Sequence, residues 1–373
     1  MWWTSLLFLP VSWACSYVEL PWQANSTVPP SYLIARTMEL SNLYGTTEYS
    51  IEAVPRGPNH GKFGYVAPMN HFHFDGVPFQ VPFEGMNEQG LTVSAHYLAQ
   101  AVYEAPTEGE SLSALEVVPR LLASCSCVED VIKLLESVKV VAPKLHGKQS
   151  LGGLHWAIAD TSGRSIIVEY LEGQRMVLEN HPRVMTNDPD IRWHWRNLNT
   201  YVNLNPQYPW QNDILQIKTD ADIGAVPRPI GHGWNLFGLP GDSSPPSRFV
   251  RLFYLRGYAL QSSALTSFQE AVVLGTGLLN NVFLPVGPVA GNPREPGDGP
   301  ELTDYGVLKS CQEKLMLIRG YVNSQWRLID LKRLDFSKGH SWPLEDGSLG
   351  LQDITDGAKE ANHGDAPKDH LYL

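Results

Sequence analysis

Cys15 is the residue of this chain best placed to do chemistry. The residues before it, Trp2 to Ala14, are mostly apolar and end Ser12-Trp13-Ala14. Small residues at the third and first positions before a bond are what signal peptidase accepts. Cleavage there would make Cys15 the first residue of the mature protein, with a thiol and a free α-amine on the same residue. Reference pKa values are about 7.7–8.0 for the amine and about 8.5 for the thiol. Near neutral pH the amine can therefore take the thiol proton, and nucleophile and base come together. With Met1 to Ala14 attached, that nitrogen is an amide and is not basic. On these residues alone two other readings of Cys15 stay open: half of a disulfide in an exported protein, and a bacterial lipoprotein site, which Ser12-Trp13 matches poorly. The leader is also short, with no Lys or Arg ahead of its apolar run.

A chain of 373 residues, 43% hydrophobic, can bury one large core or two smaller ones. Its 39 acidic and 28 basic residues give a formal charge of −11, which excludes the basic footprint of a nucleic-acid binder. After residue 14 no stretch reaches the roughly 18 apolar residues of a membrane span. Cys15, Cys125, Cys127 and Cys311 are too few for a disulfide framework. Cys125-Ser126-Cys127 lacks zinc-knuckle spacing, so these read as packing residues, with one bridge to Cys311 left open. His71-Phe72-His73-Phe74-Asp75 puts two histidines and an acid at alternate positions, which share a face in a strand. It reads better as an aromatic loop rimming a pocket with Phe79 and Phe83 than as a metal site. Trp193, His194 and Trp195 read as core before they read as groove. Phosphate-loop and Gly-x-Ser-x-Gly signatures are missing from the sequence. Asn25-Ser26-Thr27 is a glycosylation sequon.

The elements that must position Cys15 begin with strands on either side of a Pro-rich connection, Tyr17 to Leu40, where Tyr32-Leu33-Ile34-Ala35 delivers Arg36. Residues 55–83 read as a long irregular loop, and Gly90 to Ala95 resumes strand character. Leu112, Leu115, Val118, Leu121 and Leu122 follow the helical period. Pro119 is expected to kink that helix. A second helix comes next, with Ser126 and Glu129 as a capping box. Residues 154–188 are β-rich, with a hairpin around Asp160-Thr161-Ser162-Gly163. Helices are expected over Arg248 to Leu255 and Ala264 to Leu274, and strands over Glu313 to Arg319 and Trp326 to Asp330. Residues 337–373 lack apolar periodicity and read as a disordered tail. Sheet layers flanked by helix layers, an α+β arrangement, accommodate this order.

Several stretches resemble the choloylglycine hydrolases, or linear amide C–N hydrolases, which include bile salt hydrolases and penicillin V acylases and belong to the N-terminal nucleophile superfamily. They are Ala35-Arg36-Thr37-Met38-Glu39, Gly85-Met86-Asn87-Glu88-Gln89-Gly90-Leu91, Leu154-His155-Trp156 to Val168-Glu169, Thr186-Asn187-Asp188-Pro189, Trp193-His194 through Leu198-Asn199, Gly238 to Asp242 with Pro246-Ser247-Arg248-Phe249, and Leu302-Thr303-Asp304-Tyr305. They keep the family's order across residues 15–335. The resemblance implies a four-layer αββα fold over 15–336, after a signal peptide of residues 1–14 and before the tail. It also implies roles: Cys15 as nucleophile, Arg36 lowering the thiol pKa, Asn187 and the Tyr97 backbone N–H as oxyanion donors, and Arg248 fixing the geometry around the nucleophile. Glu39 stands where the family usually has Asp, with the task of holding the Cys15 α-ammonium. Tyr97 matches penicillin acylases better than bile salt hydrolases. Asn87, Glu88 and Asp242 read as scaffold. The protein so implied is a secreted or periplasmic hydrolase of small-molecule N-acyl amides working through a thioester, without metal or organic cofactor. A lipid-amide hydrolase, or an inactive secreted binding protein on the same fold, is the alternative. Tetramers are common in the family, and residues 200–247 are where an assembly arm would lie.

Overall fold

Backbone pairing in the computed structural model, which describes residues 14–40, 48–74, 77–106, 109–145, 148–149, 153–207, 232–291 and 299–351, gathers the β-compatible runs into two main sheets. Strands β1 (Ser16–Trp22), β2 (Ser31–Glu39), β3 (Glu48–Val54), β4 (Tyr65–Phe74), β5 (Val77–Pro82), β6 (Glu84–Asn87) and β7 (Thr92–Tyr97) come first. A parallel ribbon of β8 (Ser111–Ser113) and β9 (Lys139–Val141) brackets helices α1 (Val117–Ser124) and α2 (Val128–Ser137). The two-residue strands β10 (Lys144–Leu145) and β11 (Lys148–Gln149) pair with each other. Next are β12 (Leu154–Ala159), β13 (Ser165–Leu171), β14 (Gln174–Glu179) and β15 (Val184–Met185), then helices α3 (Ile191–Asn197), α4 (Pro245–Ser262) and α5 (Phe268–Asn280). Strands β16 (Thr303–Ser310), β17 (Leu315–Gly320), β18 (Arg327–Asp330) and β19 (His340–Pro343) close the described chain.

The first sheet runs β15-β1-β2-β16-β17-β18; the second runs β14-β13-β12-β7-β6-β4-β3-β19, with β5 added to β4. Helices α4 and α5 cover the first sheet and α1 covers the second, so the layers are helix, sheet, sheet, helix, the α+β arrangement expected. Strands β1 and β2 are buried on both faces along most of their length. A strand covered on both sides reads as a continuous apolar run rather than an alternation, which is how Tyr32 to Ala35 announces itself. Period two then assigns faces. Arg36 and Met38 look into the space between the sheets, where Arg36 meets Glu84 of β6. Thr37 and Glu39 share the other face, on which Leu33 lies under Gly275 of α5.

Four expectations are corrected. Residues 55–83 are not one loop, since they contain β4 and β5; Pro78 and Pro82 sit on β5, which pairs on one side only and spares the missing donor. Pro119 does not kink α1, because it is the helix's third residue, where its N–H would be orphaned anyway. Ser126 is bonded by Asp130 rather than Glu129, through its N (2.9 Å) and Oγ (2.5 Å). The tail is not loose from residue 337 onward: β19 pairs with β3, and Leu344 is buried. An edge strand held by backbone bonds needs few apolar side chains, so it leaves little pattern. Residues 352–373 lie outside the described residues, as do 1–13 of the leader and 208–231 of the long excursion. The bridge left open to Cys311 is not formed; all four thiols are free.

Candidate active site

Cys15 immediately precedes β1, and the pairing of β1 decides what surrounds it. Tyr17 pairs with Met185 on one side and with Arg36 on the other. Carrying the two antiparallel registers past the strand end sets Asn187 and Met38 opposite Cys15. The side chains agree. The Cys15 N–H donates to Asn187 Oδ1 (2.8 Å), and its Sγ lies 3.8 Å from Met38 Sδ and 3.6 Å from Arg36 Nη2. Arg248, in the first turn of α4, donates from Nη1 to the Cys15 carbonyl (2.6 Å) and Ser16 Oγ (2.8 Å), and from Nη2 to Asn187 Oδ1 (2.8 Å).

The Asn187 amide is oriented by its neighbours. Two N–H groups converge on Oδ1, so the other arm is the nitrogen, and Nδ2 donates to the Tyr97 carbonyl at 3.0 Å. Three imidazoles hold the backbone beneath it. His96 Nδ1 and His155 Nε2 each lie 3.0 Å from the Thr186 carbonyl, and His194 Nε2 lies 2.9 Å from the Asn187 carbonyl. His155 Nδ1 meets Glu169 (2.9 Å), which also takes the Ile191 N–H at the start of α3 (3.0 Å). Burial pushes His194 down to about 4 and His96 well below the usual range. Both are neutral at pH 7, and each donates from the nitrogen facing its carbonyl. His194 also stacks on Phe249, with ring centroids 4.6 Å apart; it and Trp195 belong to the core rather than to a groove.

Burial sets the electrostatics of two groups here. Arg36 pulls the Cys15 thiol down, as does Arg248, but burial dominates and Glu39 adds to it, so the thiol is pushed up to about 11. In the chain with Ala14 attached, the thiol is therefore protonated at pH 7. With Ala14 attached, Glu39 bonds to hydroxyls rather than to the Cys15 amide. Its oxygens accept from Thr37 Oγ1 (3.1 Å) and Thr303 Oγ1 (2.6 Å), while the single amide N–H of Cys15 goes to Asn187. Burial raises the Glu39 carboxyl to about 8, against the pull of Arg248 and the two hydroxyls.

Six side chains of this neighbourhood have no part in the site as the sequence reading drew it: Glu84, Lys309, Thr303, His96, His155 and His194. His155, His194 and Thr303 stand inside the quoted stretches, so the signal was present without a function attached. Glu84 and Lys309 are charges within apolar runs, and only their pairing explains them. Asn87 is tied into the scaffold, bonding the carbonyls of Leu122 (2.8 Å) and Cys125 (2.7 Å) at the end of α1. Asp242 accepts from Ser244 N (2.9 Å) and Ser247 Oγ (2.6 Å) and shapes the start of α4. His71 meets Ser50 Oγ at 2.8 Å. Phe83 is buried against Phe72. Phe79 instead lines a cavity of about 660 Å³ beside β3 and α1, away from Cys15.

Residues 65–346 match the linear amide C-N hydrolases, choloylglycine hydrolase family. The bile salt hydrolase/transferase of Clostridium perfringens is 30% identical over 258 residues, 67% of this chain and 72% of that protein. The penicillin V acylase of Pectobacterium atrosepticum is 31% identical over 112 residues, 28% of this chain and 30% of that protein. Among solved structures, a variant of the conjugated bile acid hydrolase from Clostridium perfringens superposes with TM-score 0.71 and 23% identity, covering 91% of this chain and all of that one. The penicillin V acylase from Agrobacterium tumefaciens gives TM-score 0.62 and 21% identity over 90% of this chain and 93% of that one. The αββα layering is thus the N-terminal nucleophile hydrolase fold.

Proposed function

This chain belongs to the linear amide C–N hydrolases of the choloylglycine hydrolase family and is an amidohydrolase acting on linear amides; on that premise we propose that its nucleophile is Cys15, exposed as an N-terminal residue when residues 1–14 are removed. The observation that carries this reading is the convergence of Arg36, Asn187 and Arg248 on the one residue that follows the Ser12-Trp13-Ala14 sequence. Removal by signal peptidase places the mature enzyme outside the cytoplasm, secreted or periplasmic.

In this reading the freed amine takes the thiol proton. The thiolate sulfur bonds to the amide carbon, and the carbonyl oxygen becomes an oxyanion facing Asn187 Nδ2 and the Tyr97 N–H. Such donors are typically worth about 2.7–4 kcal/mol each. Asn187 Nδ2 exchanges the Tyr97 carbonyl for the substrate oxygen. As the C–N bond breaks, the α-ammonium protonates the leaving amine, and a thioester remains. The neutral α-amine then takes a proton from water, the hydroxide oxygen bonds to the acyl carbon, and the C–S bond breaks to release the acid. Glu39 enters when the leader goes. A carboxyl that burial holds up to about 8 beside an amide becomes a carboxylate once an ammonium arrives, because the new cation supplies the counter-charge. The substrate class is small N-acyl amides, in line with the bile acid conjugates and penicillin V named for the relatives.

The test is intact mass and N-terminal sequencing of the exported protein after iodoacetamide, with hydrolysis measured on a conjugated bile acid, penicillin V and an N-acyl-ethanolamine. A chain beginning at alkylated Cys15, inactive after labelling and active before, is expected. A chain that begins elsewhere and still hydrolyses amides overturns the nucleophile assignment.

A further inference from the structure

Lys309 of β16 is fully buried between the sheets, and the proposed reaction has no step for it. An ammonium taken out of water costs several kcal/mol even after relaxation; leucine or methionine would fill similar space without that cost. Its Nζ has two partners, Glu84 Oε2 at 3.0 Å and Ser94 Oγ at 2.9 Å. The other oxygen of Glu84 takes Arg36 Nη1 at 2.6 Å. A carboxylate facing a guanidinium tends to accept two parallel N–H bonds. Here it accepts from one nitrogen, because Lys309 holds the second oxygen. Arg36 Nη2 is left for the Ala95 carbonyl (2.9 Å), Met38 Sδ (3.2 Å) and Cys15 Sγ (3.6 Å). Arg36 Nε has no acceptor and is buried, so a freed Glu84 oxygen has an idle donor to claim and a reason to turn the guanidinium.

We propose that Lys309 is a positioning residue for the nucleophile: by holding Glu84 Oε2 it keeps Glu84 from forking onto Arg36 and keeps Arg36 Nη2 aimed at the Cys15 sulfur. The charge count points the same way. Arg36 and Glu84 alone are a neutral pair, whereas with Lys309 the cluster facing the thiol is a net cation. The thiol is faced by Arg36 and Glu39 from β2 and by Arg248 from α4. Lys309 is faced by Glu84, Arg36 and the Cys311 thiol. The inference rests on Cys15 being the nucleophile.

The experiment tracks alkylation of Cys15 by iodoacetamide against pH in the mature chain, quantified on the Cys15 peptide, alongside kcat and KM. For Lys309→Met the alkylation profile moves up by about one pH unit. That is about tenfold slower labelling at neutral pH, with kcat reduced and KM unchanged. Lys309→Met combined with Glu84→Gln removes the competitor together with its holder and returns the profile to the wild-type position. Ser94→Ala, which only loosens Lys309, shifts it in the same direction by less and serves if Lys309→Met does not fold. A Lys309→Met profile that coincides with wild type overturns the proposal, as does a double variant no better than the single, or, if Lys309→Met does not fold, a Ser94→Ala profile that does not move. An active wild-type enzyme whose Cys15 is never labelled fails the nucleophile reading instead, whatever the variants do.

Discussion

Arg36 and Arg248 are both fully buried and both reach Cys15, yet they are held in opposite ways. Arg36 comes from the sheet–sheet interior, where the Glu84 carboxylate answers its charge; that pairing, set against the cost of burial, raises its pKa. Arg248 comes from the helix-covered side. It is surrounded by neutral acceptors, the carbonyls of Ser243 and Cys15, Ser16 Oγ and Asn187 Oδ1. Burial lowers its pKa, with Glu39 and Cys15 pulling it back. The first arginine is a charge already matched, with one nitrogen to spare. Among the described residues the second makes its hydrogen bonds only to neutral acceptors, with the Glu39, Glu301 and Asp242 carboxyls acting on it through space, so it favours any anion that forms nearby: thiolate, oxyanion or the Glu39 carboxylate.

The two should therefore fail differently. Arg248→Met strands buried acceptors at Ser243 and Cys15, each worth about 1–3 kcal/mol, and should cost several kcal/mol in chemical denaturation as well as all activity. Arg36→Met leaves Glu84 still paired with Lys309, so the fold should survive with a smaller loss while the thiol reacts far more slowly. A larger stability loss for Arg36→Met than for Arg248→Met would break the comparison.

A smaller effect sharpens it. In the chain with residues 1–14 attached, the Glu39 carboxyl is raised from 4.5 to about 8. Its share of stability is fully present below about pH 4.5 and is lost as pH rises through about 8. Glu39→Gln should flatten that decline in melting temperature, and an unchanged slope would argue against a buried neutral carboxyl facing Arg248. In a chain that begins at Cys15, as proposed, the same substitution should lower activity more than stability. The smallest effect lies on the acid side. His194 is depressed to about 4, so the stability it lends is present above about pH 6.5 and lost as pH falls through 4. His194→Gln should blunt that loss by a few tenths of a unit in its midpoint, read by thermal melts across pH.

The sequence carried the site further than the fold. Cys15, Arg36, Asn187 and Arg248 were legible because each sits in a short stretch with a fixed neighbourhood, and the structure brings all four together. Glu39 was legible as a position; its three-residue spacing from Arg36 puts the two on opposite faces of β2, and its bond to Thr303, far along the chain, left no signal. Strand β16 left no usable signal because Asp304 and Lys309 interrupt its apolar run; both are absorbed by tertiary partners, the Leu40 N–H (2.9 Å) and Glu84. Strand β19 was hidden for another reason, since backbone pairing at an edge asks little of side chains.

The bond between Thr303 and Glu39 joins residues 264 apart, and that between Arg248 and the Cys15 carbonyl spans 233. Cys15 is among the first residues made, whereas Arg248 and Thr303, which complete this neighbourhood, come far later. Until β16 emerges from the ribosome, β2 has an unpaired, strongly apolar edge, the kind of surface that aggregates. Pairings this distant also close slowly. A nascent chain therefore lacks the full set of contacts around Cys15 and Glu39 until Thr303 has been made.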